Sequence, residues 1–214
     1  MSVEIIDSAD LDAIRGAADS LREGAVVVAQ TDTNYGIFCN PFSESACKRI
    51  YEIKKRDGAK PLSLFVSSPT DWIRWAYAPV DIDVNAITEQ YWPGPLNLIM
   101  RKKPIVPDWV TSGFDTVSVV HNVSIVVNLL AIYSGLPLAA SSANISGSMD
   151  EGLVTFELAI DHIGSDVDFA VRGSQASQHT MSSTILSLEG EPTIVRQGDL
   201  SANALRGVVP ELHA

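Results

Sequence analysis

Short apolar runs recur along the whole chain, each ending against polar residues or against glycine or proline. Ala25 to Ala29, Gly36 to Cys39, Leu62 to Val66, Leu96 to Arg101, Thr116 to Val120, Leu138 to Ala140, Phe169 to Val171, Thr184 to Leu188 and Thr193 to Val195 are of this kind. Apolar, β-branched segments of this length read as strands. Between them, apolar residues fall at helical spacing. Leu11, Ile14, Ala18 and Leu21 lie between a cap at Ser8 and a stop at Gly24, and Ala46, Ile50 and Ile53 follow Ser43. Further helices are expected after Pro69, over Val84 to Tyr91, over Ile125 to Tyr133 ahead of Gly135, from Thr155 to about Ile163, and over Asn203 to Val208. Strands and helices mix without strict β-α-β alternation. The expectation is an α/β (mixed α+β) fold, a single three-layer domain over residues 1–214 with a twisted mixed sheet and helices on both faces.

Composition removes several function classes. No window of 18 residues is apolar and uncharged throughout, so a membrane span is not expected. The first fifteen residues carry Glu4, Asp7, Asp10 and Asp12, which is the wrong chemistry for a secretion signal, so the expected location is cytoplasmic. Cys39 and Cys47 fit no zinc spacing and read as two reduced thiols. The net charge is −11, and only Lys54 to Lys60 and Arg101 to Lys103 form small basic clusters. Tight nonspecific binding of nucleic acid, which needs many phosphate contacts, is therefore disfavoured, whereas a small anion in a local basic pocket is not.

The common nucleotide-binding loops are absent: no Gly-x-x-x-x-Gly-Lys-Ser/Thr and no Gly-x-Gly-x-x-Gly after a strand. His121, His162, His179 and His213 are scattered. Four polar islands remain, and each has a plain structural reading beside a functional one. Gln30-Thr31-Asp32-Thr33-Asn34-Tyr35-Gly36 is a strand connection or a hydroxyl-lined pocket edge. Lys54-Lys55-Arg56 is a cationic helix end or an anion clamp. Ser142-Ala143-Asn144 is a turn or a polar pair presented at a strand end. Ser182-Ser183-Thr184, with Arg196-Gln197-Gly198 behind it, is a strand entry with a surface charge or a second clamp. The polar stretch from Gly173 to Ser182 is long enough for a mobile loop over a site.

Taken in order, the islands resemble the YrdC-like threonylcarbamoyl-AMP synthase family over about Leu11 to Leu200. The family's Pro-Thr-x-Thr-x-Tyr-Gly matches Gln30 to Gly36, and its Lys-x-Arg matches Lys54-Lys55-Arg56. Its Pro-Gly-Pro-x-Thr matches Pro93-Gly94-Pro95-Leu96-Asn97, and its Ser-x-Asn matches Ser142-Ala143-Asn144. Its Ser-Thr pair matches Ser183-Thr184, and its Arg-x-Gly matches Arg196-Gln197-Gly198. The resemblance implies a strongly twisted sheet around a concave cationic cavity. It implies ATP, bicarbonate and an amino acid as substrates, with Mg²⁺ carried on the nucleotide and no dedicated metal ligands. The product would feed tRNA N6-threonylcarbamoyladenosine formation through downstream tRNA-modification proteins, from a monomer or homodimer. Lys54 and Arg56 are the implied catalytic cations. Lys54, Arg56, Ser142, Asn144, Ser183 and Arg196 are implied around the nucleotide, and Thr31, Thr33 and Tyr35 around the amino acid.

The chain departs from that pattern. Gln30 replaces a proline and Asn97 a threonine. Val120 stands where the family has the arginine of Val-Arg-x-Pro, and the proline is lost as well. His121 is adjacent but points to the opposite face of a regular strand. Two alternatives to the implied activity follow: a divergent paralogue using another amino acid or carbamoyl phosphate, and a non-catalytic module binding nucleotide or RNA. Loss of Lys54 or Arg56 is expected to lower turnover far more than stability.

Overall fold

The computed structural model describes residues 3–56, 58, 60–147, 153–173 and 181–213. Its strands are β1 (Glu4–Asp7), β2 (Val27–Gln30), β3 (Tyr35–Cys39), β4 (Ser63–Val66), β5 (Leu96–Arg101), β6 (Thr116–His121), β7 (Leu138–Ser142), β8 (Phe169–Arg172), β9 (Thr184–Ser187) and β10 (Thr193–Arg196). They form one ten-stranded sheet in the order β1-β8-β2-β3-β7-β4-β6-β5-β9-β10. The sheet is mixed: β8 runs parallel to β1 and β2, β4 to β6, and β5 to β9, while the other neighbours are antiparallel.

The longer helices are α1 (Leu11–Arg22), α2 (Glu44–Ile53), α4 (Val84–Tyr91), α6 (Ile125–Ser134) and α7 (Phe156–Ile163), with single turns at α3 (Trp72–Trp75), α5 (Asp108–Thr111) and α8 (Ala202–Leu205). Their ends have local causes. The Asp10 carboxylate accepts from the Ala13 N–H at 3.0 Å, so Asp10 and not Ser8 caps α1. Ser43, Ser124 and Thr155 cap α2, α6 and α7 in the same way. Gly135 ends α6 at φ 69°, a left-handed conformation that glycine adopts without strain.

Register partners share a face of the sheet. One face carries Val28, Ile37, Ala139, Leu64, Val119, Leu98 and Leu186, and it packs against α2, α3, α4 and α7. The opposite face carries Ile6, Val171, Val27, Phe38 and Ala140 under Ile14 and Leu21 of α1 and Val127 and Leu130 of α6. Two apolar cores thus flank the sheet, as a three-layer arrangement requires. Each fully buried aliphatic side chain contributes about 1.5–3 kcal/mol by removal from water. The second core stops at Phe65 on β4. Beyond it that face carries Ser63, Ser118, Val120, Asn97 and Ile99, which belong to neither core.

The sheet also curls. Strands β3 and β9 are five places apart in the order, about 24 Å in a flat sheet. Yet the Thr33 hydroxyl, just before β3, lies 3.4 Å from the Ser183 hydroxyl, just before β9. Asn34 Nδ2 donates to Ser182 Oγ at 3.0 Å beside it. Only a strongly curved sheet brings these positions together.

Three features escape the sequence pattern: β1, α5 and the shortness of α8. The expected loop over a site, Gly173 to Ser182, has residues 174–180 outside the described residues, and His179 is among them. The two cysteines are free and buried with their sulfurs 3.6 Å apart between β3 and α2. Their mutual hydrogen bond, together with burial, pushes the Cys39 thiol well above its usual pKa.

Candidate active site

The first polar island is a buried turn. Thr31, Asp32 and Thr33 are each less than a tenth exposed, between two strands that are largely apolar up to Gln30 and Tyr35. Thr31 Oγ1 donates to the Asn34 carbonyl at 2.6 Å and accepts from the Thr33 N–H at 3.1 Å, which closes the turn. The Asn34 carboxamide ties it outward, accepting from the Val154 N–H at 2.8 Å as well as donating to Ser182. Tyr35 is placed apart from Thr31 and Thr33. Its ring packs edge-on against Phe156, with centroids 5.5 Å apart, in the core on the α2 side. Its hydroxyl accepts from the Gly173 N–H at 2.9 Å. Burial, the main cause, raises the phenol pKa. Alternation along β3 thus turns the Tyr35 ring to the opposite face from Gly36 and Phe38, and the structure does not bring it together with Thr31 and Thr33.

The second and third islands meet. Lys54 caps the C-terminus of α2 and is 1% exposed. Its ammonium donates to the carbonyls of Ser142 and Asn144, and Asn144 Oδ1 lies 3.5 Å away. The Lys54 carbonyl in turn accepts from the Ser146 N–H at 2.8 Å. Ser142 Oγ donates to Asn144 Oδ1 at 2.7 Å. Lys54 therefore sits beneath the loop after β7 and holds it from both ends, where the sequence suggested a cation reaching a ligand. Its pKa is lowered to about 7, first by burial and then by the charge on Arg56. Arg56 is half-buried. Its Nε and Nη2 donate to the Lys60 and Pro61 carbonyls, both at 3.0 Å. A guanidinium has five N–H groups, so among the described residues three stay uncommitted.

The fourth island is a clasp. Arg196 Nε and Nη2 both donate to the Ser183 carbonyl, at 3.1 and 2.8 Å. Arg196 is exposed and, like Arg56, is anchored to backbone while keeping three N–H groups for another partner. The Gly198 N–H donates to Thr184 Oγ1 at 3.0 Å, and Thr184 Oγ1 donates to the Leu200 carbonyl at 2.7 Å.

These bonds form a continuous string. Arg196 holds Ser183, Ser183 meets Thr33, the turn leads to Tyr35, and the Tyr35 carbonyl accepts from the Ala143 N–H at 2.8 Å, between Ser142 and Asn144. Lys54 then links that loop to Arg56 two residues on. The separated motifs thus converge at the curled edge of the sheet, around its uncovered face. Two clefts of about 500 and 480 Å³ lie elsewhere, one beside Tyr77 and Val80, the other beside Arg49, Lys55 and Asp168; neither is lined by Thr33, Ser142, Asn144, Ser183 or Arg196.

The departures cluster as well. Asn122, at the position of the lost proline, is 1% exposed, and its Oδ1 accepts from the Asp32 N–H at 3.2 Å and the Ser124 N–H at 2.9 Å. Ser124 Oγ donates to the Gln30 carbonyl at 2.6 Å. The Asn122 side chain and the Gln30 backbone carbonyl thus both brace the Thr31–Asn34 turn. Val120 is 1% exposed, on the uncovered face with Asn97. His121 points the other way, as strand alternation requires, with Nδ1 2.9 Å from the Val66 carbonyl. A carbonyl only accepts, so the proton resides on Nδ1.

Fold and site together define a class: α/β proteins with a curled mixed sheet whose strand-end loops gather hydroxyls, a carboxamide and backbone-anchored guanidinium groups. The Sua5/YciO/YrdC family model, described as telomere recombination, matches residues 19–198. The chain belongs to this family. It is 32% identical over 199 residues to a threonylcarbamoyl-AMP synthase of Pyrococcus abyssi, a match that covers 93% of this chain and 58% of that protein. It is 32% identical over 176 residues to a putative threonylcarbamoyl-AMP synthase of Methanocaldococcus jannaschii, covering 82% of this chain and 80% of that one. The crystal structure of P. abyssi Sua5 complexed with L-threonine superimposes with a TM-score of 0.89 at 29% identity, over 100% of this chain and 63% of the other. The chain thus spans less than two thirds of the P. abyssi protein. Among the described residues, no helix is long and apolar enough to cross a membrane.

Proposed function

We propose that this protein makes threonylcarbamoyl-AMP from L-threonine, bicarbonate and ATP, releasing pyrophosphate and water. The observation that carries this reading is the convergence of Arg56, Ser142, Asn144, Thr33, Ser183 and Arg196 through one string of bonds beside an uncovered face of the sheet. The reaction suits a site without a nucleophile of its own. The amine adds to bicarbonate, a C–N bond forms and a hydroxyl leaves as water. A carboxylate oxygen of the resulting carbamate then attacks the α-phosphorus, a new P–O bond forms, and the bond to the β-phosphate oxygen breaks. Such chemistry needs alignment and charge neutralisation more than covalent help.

The residues divide accordingly. Arg56 and Arg196, each with free N–H groups, meet phosphate or carboxylate oxygens from the two sides. Ser142, Asn144 and Ser183 contact the nucleotide, and Thr31 and Thr33 border the amino acid. Lys54 positions the Ser142–Asn144 loop. Mg²⁺ enters as the nucleotide's own ion; among the described residues no cluster of three metal-ligating side chains occurs. The reading places the protein in the cytoplasm, feeding tRNA-modification proteins.

Incubation with Mg·ATP, labelled bicarbonate and threonine is expected to release pyrophosphate and yield labelled threonylcarbamoyl-AMP by mass spectrometry. Absence of threonine-dependent pyrophosphate, under conditions where a standard family member turns over, would refute the reading. Arg56→Ala is expected to lower kcat/KM by about 100-fold, in line with the loss of charge-assisted hydrogen bonds of about 1.5–3 kcal/mol. Its melting temperature is expected to stay within about 3 °C, because its two carbonyl partners lie in solvent-accessible backbone. A large thermal shift with unchanged kcat/KM would instead make Arg56 a helix-end brace.

A further inference from the structure

The uncovered face carries a polar arrangement that the rim does not use. Ser63 on β4 and Ser118 on β6 are direct register partners. Ser63 Oγ donates to Ser118 Oγ at 3.0 Å. Asn97 Nδ2 donates to Ser63 Oγ at 3.2 Å and to Ser118 Oγ at 3.1 Å. Both amide N–H groups of Asn97 and one hydroxyl proton are thereby consumed. These three bonds leave one serine hydroxyl hydrogen and the Asn97 Oδ1. On the same face lie Phe65 and Val120, register partners of each other two residues further along β4 and β6. Phe65 is braced by Phe38, with ring centroids 5.2 Å apart.

The floor is therefore neutral. It offers one donor and one acceptor side by side, bordered by an aromatic ring and a buried valine. The cations stand at the rim, on Arg56 and Arg196, and the Lys54 ammonium is turned to backbone carbonyls. Resting on the adenylate-forming reading above, we infer that Ser63, Asn97 and Ser118 form the specificity pocket for the amine substrate's side group. The pocket selects a neutral group that both donates and accepts, a hydroxyl or a carboxamide. A hydroxyl completes both leftover valences. A carboxylate accepts only, so it would face Asn97 Oδ1 without a cation and lose its water. An ammonium would find a single acceptor. An aliphatic group would leave both valences unpaired. Sites built around hydrogen bonds discriminate strongly against analogues that lack them.

The test uses threonine, serine and glutamine against valine, aspartate and lysine. Initial rates of pyrophosphate release give kcat/KM, and calorimetry gives binding of each amino acid to the protein alone. Wild type is expected to favour threonine over valine and over aspartate by about 100-fold or more. In Ser118→Ala the threonine-over-valine ratio is expected to fall about tenfold, through KM for the amino acid, with KM for ATP unchanged. Ser118→Thr keeps the hydroxyl and is expected to restore the ratio. Ser63→Ala breaks the trio from another strand and provides the second reading if Ser118→Ala fails to fold. If no amino acid supports pyrophosphate release while calorimetry keeps the threonine-over-valine difference, the adenylate reading fails and the pocket stands. Equal use or equal binding of threonine, valine and aspartate overturns the pocket. So does a ratio that Ser118→Ala and Ser63→Ala leave unchanged.

Discussion

Lys54→Met is expected to lose stability and turnover together, unlike Arg56→Ala. Methionine keeps about the length of the lysine stem, with sulfur in place of one methylene, and removes the nitrogen. The Ser142 and Asn144 carbonyls then lose their donor in a buried place, at about 1–3 kcal/mol each. For a chain of this size that lowers the melting temperature by roughly 5–15 °C. On the proposed function, turnover falls at least 100-fold at temperatures where the variant is folded, because displacement of the loop assigned to the nucleotide by about 1 Å is costly. The sequence led to the expectation that loss of Lys54 lowers turnover far more than stability; its burial beneath two carbonyls argues for a loss of both. Its exposure of 1% leaves no path by which the ammonium reaches a ligand without leaving its carbonyls.

The same residue predicts a pH dependence with a definite sign. Burial, and then Arg56, lower the Lys54 pKa to about 7 from 10.5 in the unfolded chain. Between those values the unfolded state holds a proton that the folded state has released. Stability contributed by this group therefore rises with pH from about 7 toward 10.5, with a limiting slope of about 1.4 kcal/mol per pH unit. A neutral amine keeps two N–H donors, which match the two carbonyls. The stability difference between wild type and Lys54→Met, measured by denaturant unfolding from pH 6 to 9, is expected to grow with pH. A difference that stays flat from pH 6 to 9 would mean that Lys54 is charged in both states throughout this range and that its carbonyl partners outweigh its burial.

How far such roles were legible depends on what each residue's neighbours in sequence reveal. Helix α4 and strand β5 have the boundaries that their apolar pattern predicts, and α7 follows its Thr155 cap. Strand β1 was missed because its two apolar residues, Ile5 and Ile6, are adjacent and do not alternate, and only Ile6 is buried. Helix α5 is a single turn, too short to show a helical face. At the site, the rim residues were legible because each lies in a compact motif. The opposite orientation of Tyr35 follows from strand parity, which needs the register of β3 to be known. Lys54 reads as an ordinary helix-end cation until the loop after β7 is seen above it. Ser63 and Ser118 gave no signal at all. They are isolated serines on strands that become neighbours only because the chain from β4 passes over to β5 and returns between them as β6. Asn97 stood out as a departure, but its partners did not. The nearness of Gln30 to Asn122, and of Asn97 to Val120, likewise exists only in the folded sheet.

Gly198→Ala carries the second large expected effect, and it tests whether the clasp is part of the site. Gly198 does not have a positive φ, so the demand is for space and not for conformational freedom. A Cβ there would lie 2.0 Å from the Ser182 carbonyl oxygen, 2.5 Å from the Ser183 carbonyl carbon and 2.5 Å from the Thr184 nitrogen. All three are backbone atoms, so no side chain can rotate away. The segments 182–184 and 196–200 must part by about 1 Å or more, which loosens the Gly198–Thr184 bond and the double bond from Arg196 to Ser183. Ser183 then withdraws from Thr33, and the two ends of the curled sheet lose their junction. The expected cost is about 2–4 kcal/mol, seen as a melting temperature lower by roughly 5–15 °C. Turnover below that temperature is expected to fall at least 100-fold, with KM for ATP raised because Arg196 loses its anchor on Ser183. Arg196→Ala, which removes the guanidinium without forcing the backbone apart, is expected to reproduce the KM effect and little of the thermal one. If Gly198→Ala melts early yet retains wild-type kcat/KM while folded, the clasp is a brace for β9 and β10, and Arg196 drops out of the nucleotide site.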